Sequence, residues 1–177
     1  VRGRVTPTEI SFKLAPKINA AGRVDDPNLG VKLLLSQSLT EARPYADKMF
    51  SLNQQRQKIE ARVFSDAIAQ ARQQINQKAL ILVDQQWHPG VMGNIASRIS
   101  RHFGKTTLAL TFNAGTSTEP FQESIAVGSA RSVGDLDLCS LLQECRQMLN
   151  RFGGHPAAVG LSLSLIHISE PTRLASI

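Results

Sequence analysis

Aromatic residues are scarce in this sequence. Phe, Trp and Tyr make up 5% of 177 positions, with one Trp and one Tyr. A surface that grips nucleic acid mainly by stacking bases on rings is therefore not expected, and any such affinity would lean on charge. Cysteine is scarce too, with Cys139 and Cys145 the two examples. They fall in one predicted helix without metal-site spacing, and read as free thiols of a reducing cytosol. No run of about 18 uncharged apolar residues occurs, so no membrane-spanning helix is predicted. The opening VRGRVTPTEI has no apolar signal-peptide core and no initiator Met, and the chain is read as a fragment of a longer one. Acidic residues are outnumbered, 14 against 20 basic, for a net charge of +6. That balance favours a polyanionic partner without proving one.

The length suits one substantial domain or two small ones. Residues 1–24 read as irregular, broken by Pro7, Pro16 and Gly22. Within them, LAPKINAAGRVDD sets Asn19 and Arg23 on either side of a small-residue bend. Such a bend can aim backbone N–H groups and a guanidinium at one phosphate. The other reading is a packed loop with Arg23 paired to Asp25 or Asp26. A short helix is predicted from Pro27 to Leu35, capped by Asp26, with Leu29, Leu33 and Leu34 as its apolar face. Thr40 then opens a long helix to about Asn76. Its stripe is Tyr45, Met49, Leu52, Ile59 and Val63, continued by Phe64, Ile68, Ala71 and Ile75. At roughly 54 Å it is too long for one small domain and suits a bridge between lobes. Two helices broken near Asn53 are the alternative.

The remainder alternates strands and helices. ALILV, Ala79 to Val83, reads as a buried strand. A helix from Pro89 uses Val91, Ile95 and Ile99 and stops at Gly104. Trp87 and His88 at its start read as a packed indole and a hydrogen-bonded imidazole. Thr106 to Phe112 and Glu123 to Ala130 are two more strands, separated by a polar loop at 113–120. The second runs into GSARSVGDLDL, where Gly128 and Ser129 leave room for a phosphate or sugar. Ser129 and Ser132 offer hydroxyls there, and Arg131 a bidentate fork. A polar turn with a solvated Arg131 fits the same residues. Asp135 caps the next helix, to about Asn150, with Leu138, Leu141, Leu142, Cys145 and Leu149 inward.

The stretch RFGGHPAAVG, Arg151 to Gly160, follows. Gly153 and Gly154 permit positive φ and close ligand approach, and His155 stands on an exposed bend beside them. A plain glycine turn with a surface histidine is the competing reading. Val159 to Leu163 is the fourth strand. Together these elements imply an α/β protein with a small mixed sheet. The last residues, 164–177, carry no amphipathic pattern and read as a non-native, adapter-derived tail.

Four segments, KINAAGR, WHPGVMGNIASRI, GSARS and RFGGHPAAVG, resemble in that order the RecJ family of single-stranded-DNA-specific exonucleases, in the DHH phosphoesterase superfamily. The resemblance covers about residues 10–163. It implies that residues 1–39 end a catalytic DHH lobe, 40–76 form a connecting helix, and 77–163 form a DHH-associated nucleic-acid-binding domain. It also implies a metal-dependent 5′-to-3′ exonuclease of DNA repair and recombination, using Mn²⁺ or Mg²⁺. The metal-binding DHH triplet and the family's oligonucleotide-binding domain are absent here. The fragment is therefore expected to bind no metal and to be inactive alone.

By the resemblance, Arg23 and His155 serve catalysis. Asn19, Arg23, Ser129, Arg131, Ser132, Gly153, Gly154 and His155 contact phosphate or DNA. The family's alanine pair before the last glycine is Ala158-Val159 here, so Val159 is expected to crowd its strand slightly. Implied partners are single-stranded DNA, with repair helicases or a single-strand-binding protein as further candidates, for a cytoplasmic monomer. A related phosphodiesterase of short oligonucleotides or cyclic dinucleotides, and a non-catalytic strand-binding module, are the alternatives.

Overall fold

The computed structural model describes residues 5–113 and 125–164, so the polar loop at 114–120 and nearly all of the 164–177 tail lie outside the described residues. The chain divides into two compact units, Val1–Arg62 and Val63–Ile177.

The first unit is helical. After α1 (Pro7–Glu9) and a wider π-type turn (Ile10–Leu14) come α2 (Ala15–Val24) and α3 (Asn28–Leu35). The predicted irregular stretch is therefore a correction. Pro16 lies in the first turn of α2, where a missing N–H costs nothing. Gly22 brings α2 against Pro27, whose Cβ would lie 3.4 Å from an added Cβ. Ala20 and Ala21 are fully buried and pack with Met49 and Leu52. The small residues thus serve helix packing and form no bend. Pro27, not Asp26, is the N-cap of α3, although Asp26 accepts from the Asn28 N–H at 2.9 Å. On α3, Leu29 and Leu33 face this core but Leu34 is 72% exposed. Gly30 takes the inward position, because a Cβ there would meet Ile18 at 3.2 Å.

One continuous helix, α4 (Leu39–Gln73), runs through both units for 35 residues. Its N-terminus is held by Ser38, whose hydroxyl accepts from the Glu41 N–H at 3.2 Å, in place of Thr40. No break occurs at Asn53, whose amide oxygen accepts from Arg56 Nη2 at 3.0 Å. Met49, Leu52, Val63 and Ala71 are buried as predicted, and Ala67 joins them. Ile75 lies beyond the helix and is exposed.

In the second unit, β1 (Ala79–Val83), β2 (Thr106–Asn113), β3 (Ile125–Arg131), β4 (Arg151–His155) and β5 (Ala158–Ser164) form one sheet in the order β1-β2-β3-β5-β4. The β1–β2 pair is parallel and crosses over through α5 (Met92–Phe103). The other pairs are antiparallel. On α5, Met92, Ile95, Ala96 and Ile99 are buried, each large one contributing about 1.5–3 kcal/mol. Gly104 ends the helix at φ 62°, a left-handed turn that glycine adopts without strain.

The opposite face of the sheet packs on α6 (Leu138–Glu144) through Ala130, Leu138, Val159 and Leu161. Asp137, not Asp135, caps α6, accepting from the Cys139 and Ser140 N–H groups. The Ser140 hydroxyl and these N–H groups hold its carboxyl below the usual carboxylate range. The helix ends at Glu144, short of the expected Asn150, and Leu141 is 44% exposed. Both cysteines are free. Among the described residues no helix is long and apolar enough to cross a membrane.

Strand β1 is an edge, not a doubly buried strand, and Ile81 is 54% exposed. Two glutamines cover its free backbone. Gln70 accepts from Val83 N–H and donates to Val83 C=O, both at 3.0 Å. Gln74 does the same at Ile81, at 2.9 and 2.7 Å. Gln74 stands one residue past the end of α4, and four residues at the helical rise advance about 6 Å against about 6.6 Å for two strand residues, so the two amides match the strand's repeat. They act as a surrogate strand and block edge pairing.

Replacing both, Gln70→Ala with Gln74→Ala, should lower stability by about 1–2 kcal/mol and promote self-association. Urea unfolding and sedimentation would read this, and an unchanged midpoint with no association would refute it. The Asp137 cap contributes stability above the ordinary carboxylate range, lost as pH falls through its lowered folded value. Thermal melts of the wild type should therefore fall more steeply on acidification than those of Asp137→Ala.

Candidate nucleic-acid interface

The C-terminal motif is a hairpin. Arg151–His155 forms β4 and pairs with β5, joined by Pro156 and Ala157. Reading it as a bend is corrected by the ladder itself: the glycines are strand residues. Their conformations differ. Gly154 has φ 150°, and a Cβ there would stand 2.3 Å from the Ala158 carbonyl oxygen. At Gly153 a Cβ would meet nothing within 4 Å. Gly154 is thus required by hairpin packing, while Gly153 leaves open space above the sheet.

The registers align the candidate residues. Arg131 pairs with Ala158, which pairs with His155. One step of two residues away, Ser129 pairs with Gly160, which pairs with Gly153. Directly paired residues share a face, and every second residue returns to it. Ser129, Arg131, Gly153 and His155 therefore lie on one face of the sheet, with the Cα atoms of Arg131 and His155 two strand spacings, about 9.6 Å, apart. Gly160 and Ala158 lie between them. His155, Gly153 and Gly160 are exposed. The result is a trough with a glycine floor, a Ser129–Arg131 wall and His155 on the far rim.

Helix α5 covers β2 and β3 on this face. A Cβ on Gly93 would lie 3.0 Å from Arg131 Nη2 and 3.5 Å from Ser129 Oγ. The guanidinium thus lies against a gap in the first turn of α5, and its Nη1 donates to the Ala130 carbonyl at 2.7 Å. The solvated alternative for Arg131 is not what is observed, since the residue is half-buried. Gly93 escaped notice in the sequence, although a glycine early in an amphipathic helix is a costly choice that signals a packing need.

Gly128 is corrected. A Cβ there would sit 2.1 Å from the Ala109 carbonyl oxygen, so it permits strand packing and does not admit a ligand. Ser132 lies past β3. Its Oγ is buried without a partner, and its N–H donates to the Ala157 carbonyl at 3.1 Å. Its hydroxyl is not presented on the trough. Val159 faces the α6 side and is 1% exposed, so it does not crowd the trough. Trp87 is 4% exposed, with its carbonyl accepting from Thr111 Oγ1 at 2.7 Å. His88 Nδ1 accepts from the Gly90 N–H at 3.1 Å. Both shape the start of α5, as read from the sequence.

Asn19 and Arg23 belong to the first unit. They lie one turn apart on α2 and line a groove of about 440 Å³ with Gly22, Pro27, Gly30 and Leu34. The helix commits its interior N–H groups to its own carbonyls, so the expected backbone cradle for phosphate does not form. Asp25 pairs with Lys48 at 3.0 Å.

The fold and this face define a class: a small mixed α/β domain with one sheet face that, among the described residues, is half covered by a helix and half open, basic and glycine-floored. The profile of the DHHA1 domain matches residues 76–174, and the chain belongs to that family. The match extends into the C-terminal segment beyond Ser164. The chain is 35% identical over 162 residues to the single-stranded-DNA-specific exonuclease RecJ of Bacillus subtilis, covering 91% of this chain and 20% of that one. It is 32% identical over 169 residues to RecJ of Escherichia coli, covering 90% and 28%. Among solved structures, a Thermus thermophilus RecJ in complex with Mg²⁺ matches with TM-score 0.71 at 28% identity, over 90% of this chain and 23% of that one. An exonuclease RecJ bound to manganese matches with TM-score 0.73 at 29% identity, over 90% and 37%. The chain thus spans between a fifth and a third of the curated relatives named here.

The two adjacent glycines should respond oppositely to substitution. Gly153→Ala should fold with stability within about 1 kcal/mol of wild type. Gly154→Ala should lose about 3 kcal/mol or more. Urea denaturation of both variants checks this, and equal losses would contradict the geometry.

Proposed function

We propose that this chain is the strand-holding part of a single-stranded-DNA-specific 5′-to-3′ exonuclease of DNA repair and recombination, and that the strand's backbone lies in the glycine-floored trough. The observation that carries this is the shared row of Arg131, Ala158 and His155, which gives a guanidinium and an imidazole one common groove. The names of the RecJ relatives support the substrate and the activity.

In this reading Arg131 and Ser129 hold a terminal or near-terminal phosphate against the start of α5. His155 donates to a phosphate oxygen from the opposite rim, and Gly153 lets the sugar approach the sheet. Arg23, with Asn19 beside it, supplies a further phosphate contact from the first unit. A well-aimed donor to charge developing on a phosphate is worth about 2.7–4 kcal/mol. Catalysis is assigned to His155 and Arg23 in this electrostatic sense.

The RecJ structures named above hold Mg²⁺ or manganese, but the donors among the described residues do not fit such an ion. Among the described residues no group of three His, Cys, Asp or Glu could hold one. The chain's part is to position the strand, and alone it binds without cutting. A cytoplasmic, monomeric protein working beside a helicase or single-strand-binding protein completes the proposal.

Labelled single-stranded DNA titrated at several salt concentrations should lose affinity steeply as salt rises. A long strand should outcompete a cyclic dinucleotide. Joined to the metal-binding lobe of a relative, Arg131→Ala and His155→Ala should each slow DNA digestion by about 10²-fold. Full activity in both variants would reject the reading.

A further inference from the structure

Among the described residues, the open half of the trough continues along the sheet past Ser129 and Gly153. One more step of two residues brings Val127, Ser162 and Arg151 into a row on the same face. The face therefore presents three rows: Arg131–Ala158–His155, Ser129–Gly160–Gly153 and Val127–Ser162–Arg151. None of these nine positions is acidic. Arg151 is exposed at the outer edge of the sheet, and with Phe152, Gly153, Gly160, Leu161 and Ser162 it lines a groove of about 390 Å³ along the β4–β5 pair. Its neighbour Phe152 points to the other face, where Arg146 lies 5.6 Å from its ring. The alternation that sends Phe152 to the α6 side is what sends Arg151 to the trough.

We propose that Arg151 is a second phosphate anchor, set far enough from Arg131 that one strand several nucleotides long must span the glycine floor to engage both. The inference rests on the reading that this trough holds single-stranded DNA, and it adds the minimum length of strand that the site recognises. The two arginines lie four residues apart along the strands, about 13 Å, and two strands apart, about 9.6 Å. Their Cα atoms are thus separated by about 16 Å on the diagonal. Leaning does not close this gap, because the Arg131 guanidinium is folded toward α5 and held by the Ala130 carbonyl. A stacked strand advances about 3.4 Å per nucleotide, so the gap covers several nucleotides. Adjacent phosphates of a dinucleotide are too close to reach both ends. Between the anchors, Gly160 and Gly153 offer open space where side chains would stand, and Ser162 adds a hydroxyl beside Arg151.

The test compares a 5′-phosphorylated oligothymidylate dinucleotide and hexanucleotide on the full chain by competition anisotropy. Arg151→Ala should weaken the hexanucleotide about tenfold more than the dinucleotide. It should also reduce the hexanucleotide's salt slope by about 0.7, the loss of one single-strand phosphate contact. Arg151→Lys should restore the slope, and Arg131→Ala should weaken both lengths. Equal effects of Arg151→Ala on both lengths, or none on either, while Arg131→Ala still weakens both, would overturn the anchor and leave the strand-holding reading intact. Failure of the wild-type chain to bind either length would overturn that reading, and the anchor with it. Because Arg151 is exposed on an edge strand, its variants should melt with the wild type, and that measurement separates loss of contact from loss of fold.

Discussion

The antiparallel register of β3, β5 and β4 is the constraint on which the rest depends. A slip of one residue would turn every side chain of a strand to the other face. Arg131 and His155 would then no longer share a surface, and Val159 and Leu161 would leave the core. The register is held at the hairpin tip as well as in the ladder. The Ala157 carbonyl accepts from Ser132 N–H at 3.1 Å, and the Pro156 carbonyl from Leu138 N–H at 2.9 Å. The turn that follows His155 is thereby bonded to the segment that follows Arg131. The two ends of one row are fixed to each other through backbone.

Glycine makes that register compact, by different means at different places. At Gly128 and Gly154 a Cβ would drive into a carbonyl oxygen at 2.1 and 2.3 Å, so these residues let strands approach. At Gly93 the missing Cβ makes room for a guanidinium. At Gly153 an added Cβ would meet nothing within 4 Å, and at Gly160 a carbonyl oxygen at 3.9 Å, so both leave room on the sheet surface. Among the described residues, α5 covers β2 and β3 on one face of the sheet and does not extend over β5 and β4. A bare face of arginine, histidine, serine and glycine exposes little apolar area, and that composition lets it stay in water without a covering helix.

Legibility followed periodicity. The stripe of α4, the ALILV strand, the α5 face and its glycine stop all rest on patterns repeated over several turns or residues, and they form the expected elements, save that Ile75 falls beyond α4 and ALILV lies at the sheet edge. The failures have separate physical causes. Strand β4 was hidden because Gly153 and Gly154 have poor strand propensity and pair only through their neighbour β5. Helix α2 was hidden because Pro16 and Gly22 read as breakers, while a first-turn proline and a packed glycine break nothing. Leu34 and Leu141 were assigned inward from spacing alone, yet the sides they face carry no covering element within the described residues. Arg131, Ser129 and His155 were legible as chemistry expected to meet at one cleft, but the strand rows that align them were not. Gly93 and Arg151 were not legible as members of it at all.

From the sequence by itself came the kinds of groups available, the order of elements and the family likeness, because composition and local repeats are properties of neighbouring residues. Tertiary structure alone decided which glycines are packing and which are open, which arginine leans on α5, and that residues 24 positions apart, such as Arg131 and His155, share one row. Strand pairing carries that information, and pairing is a relation between distant segments that no local pattern contains.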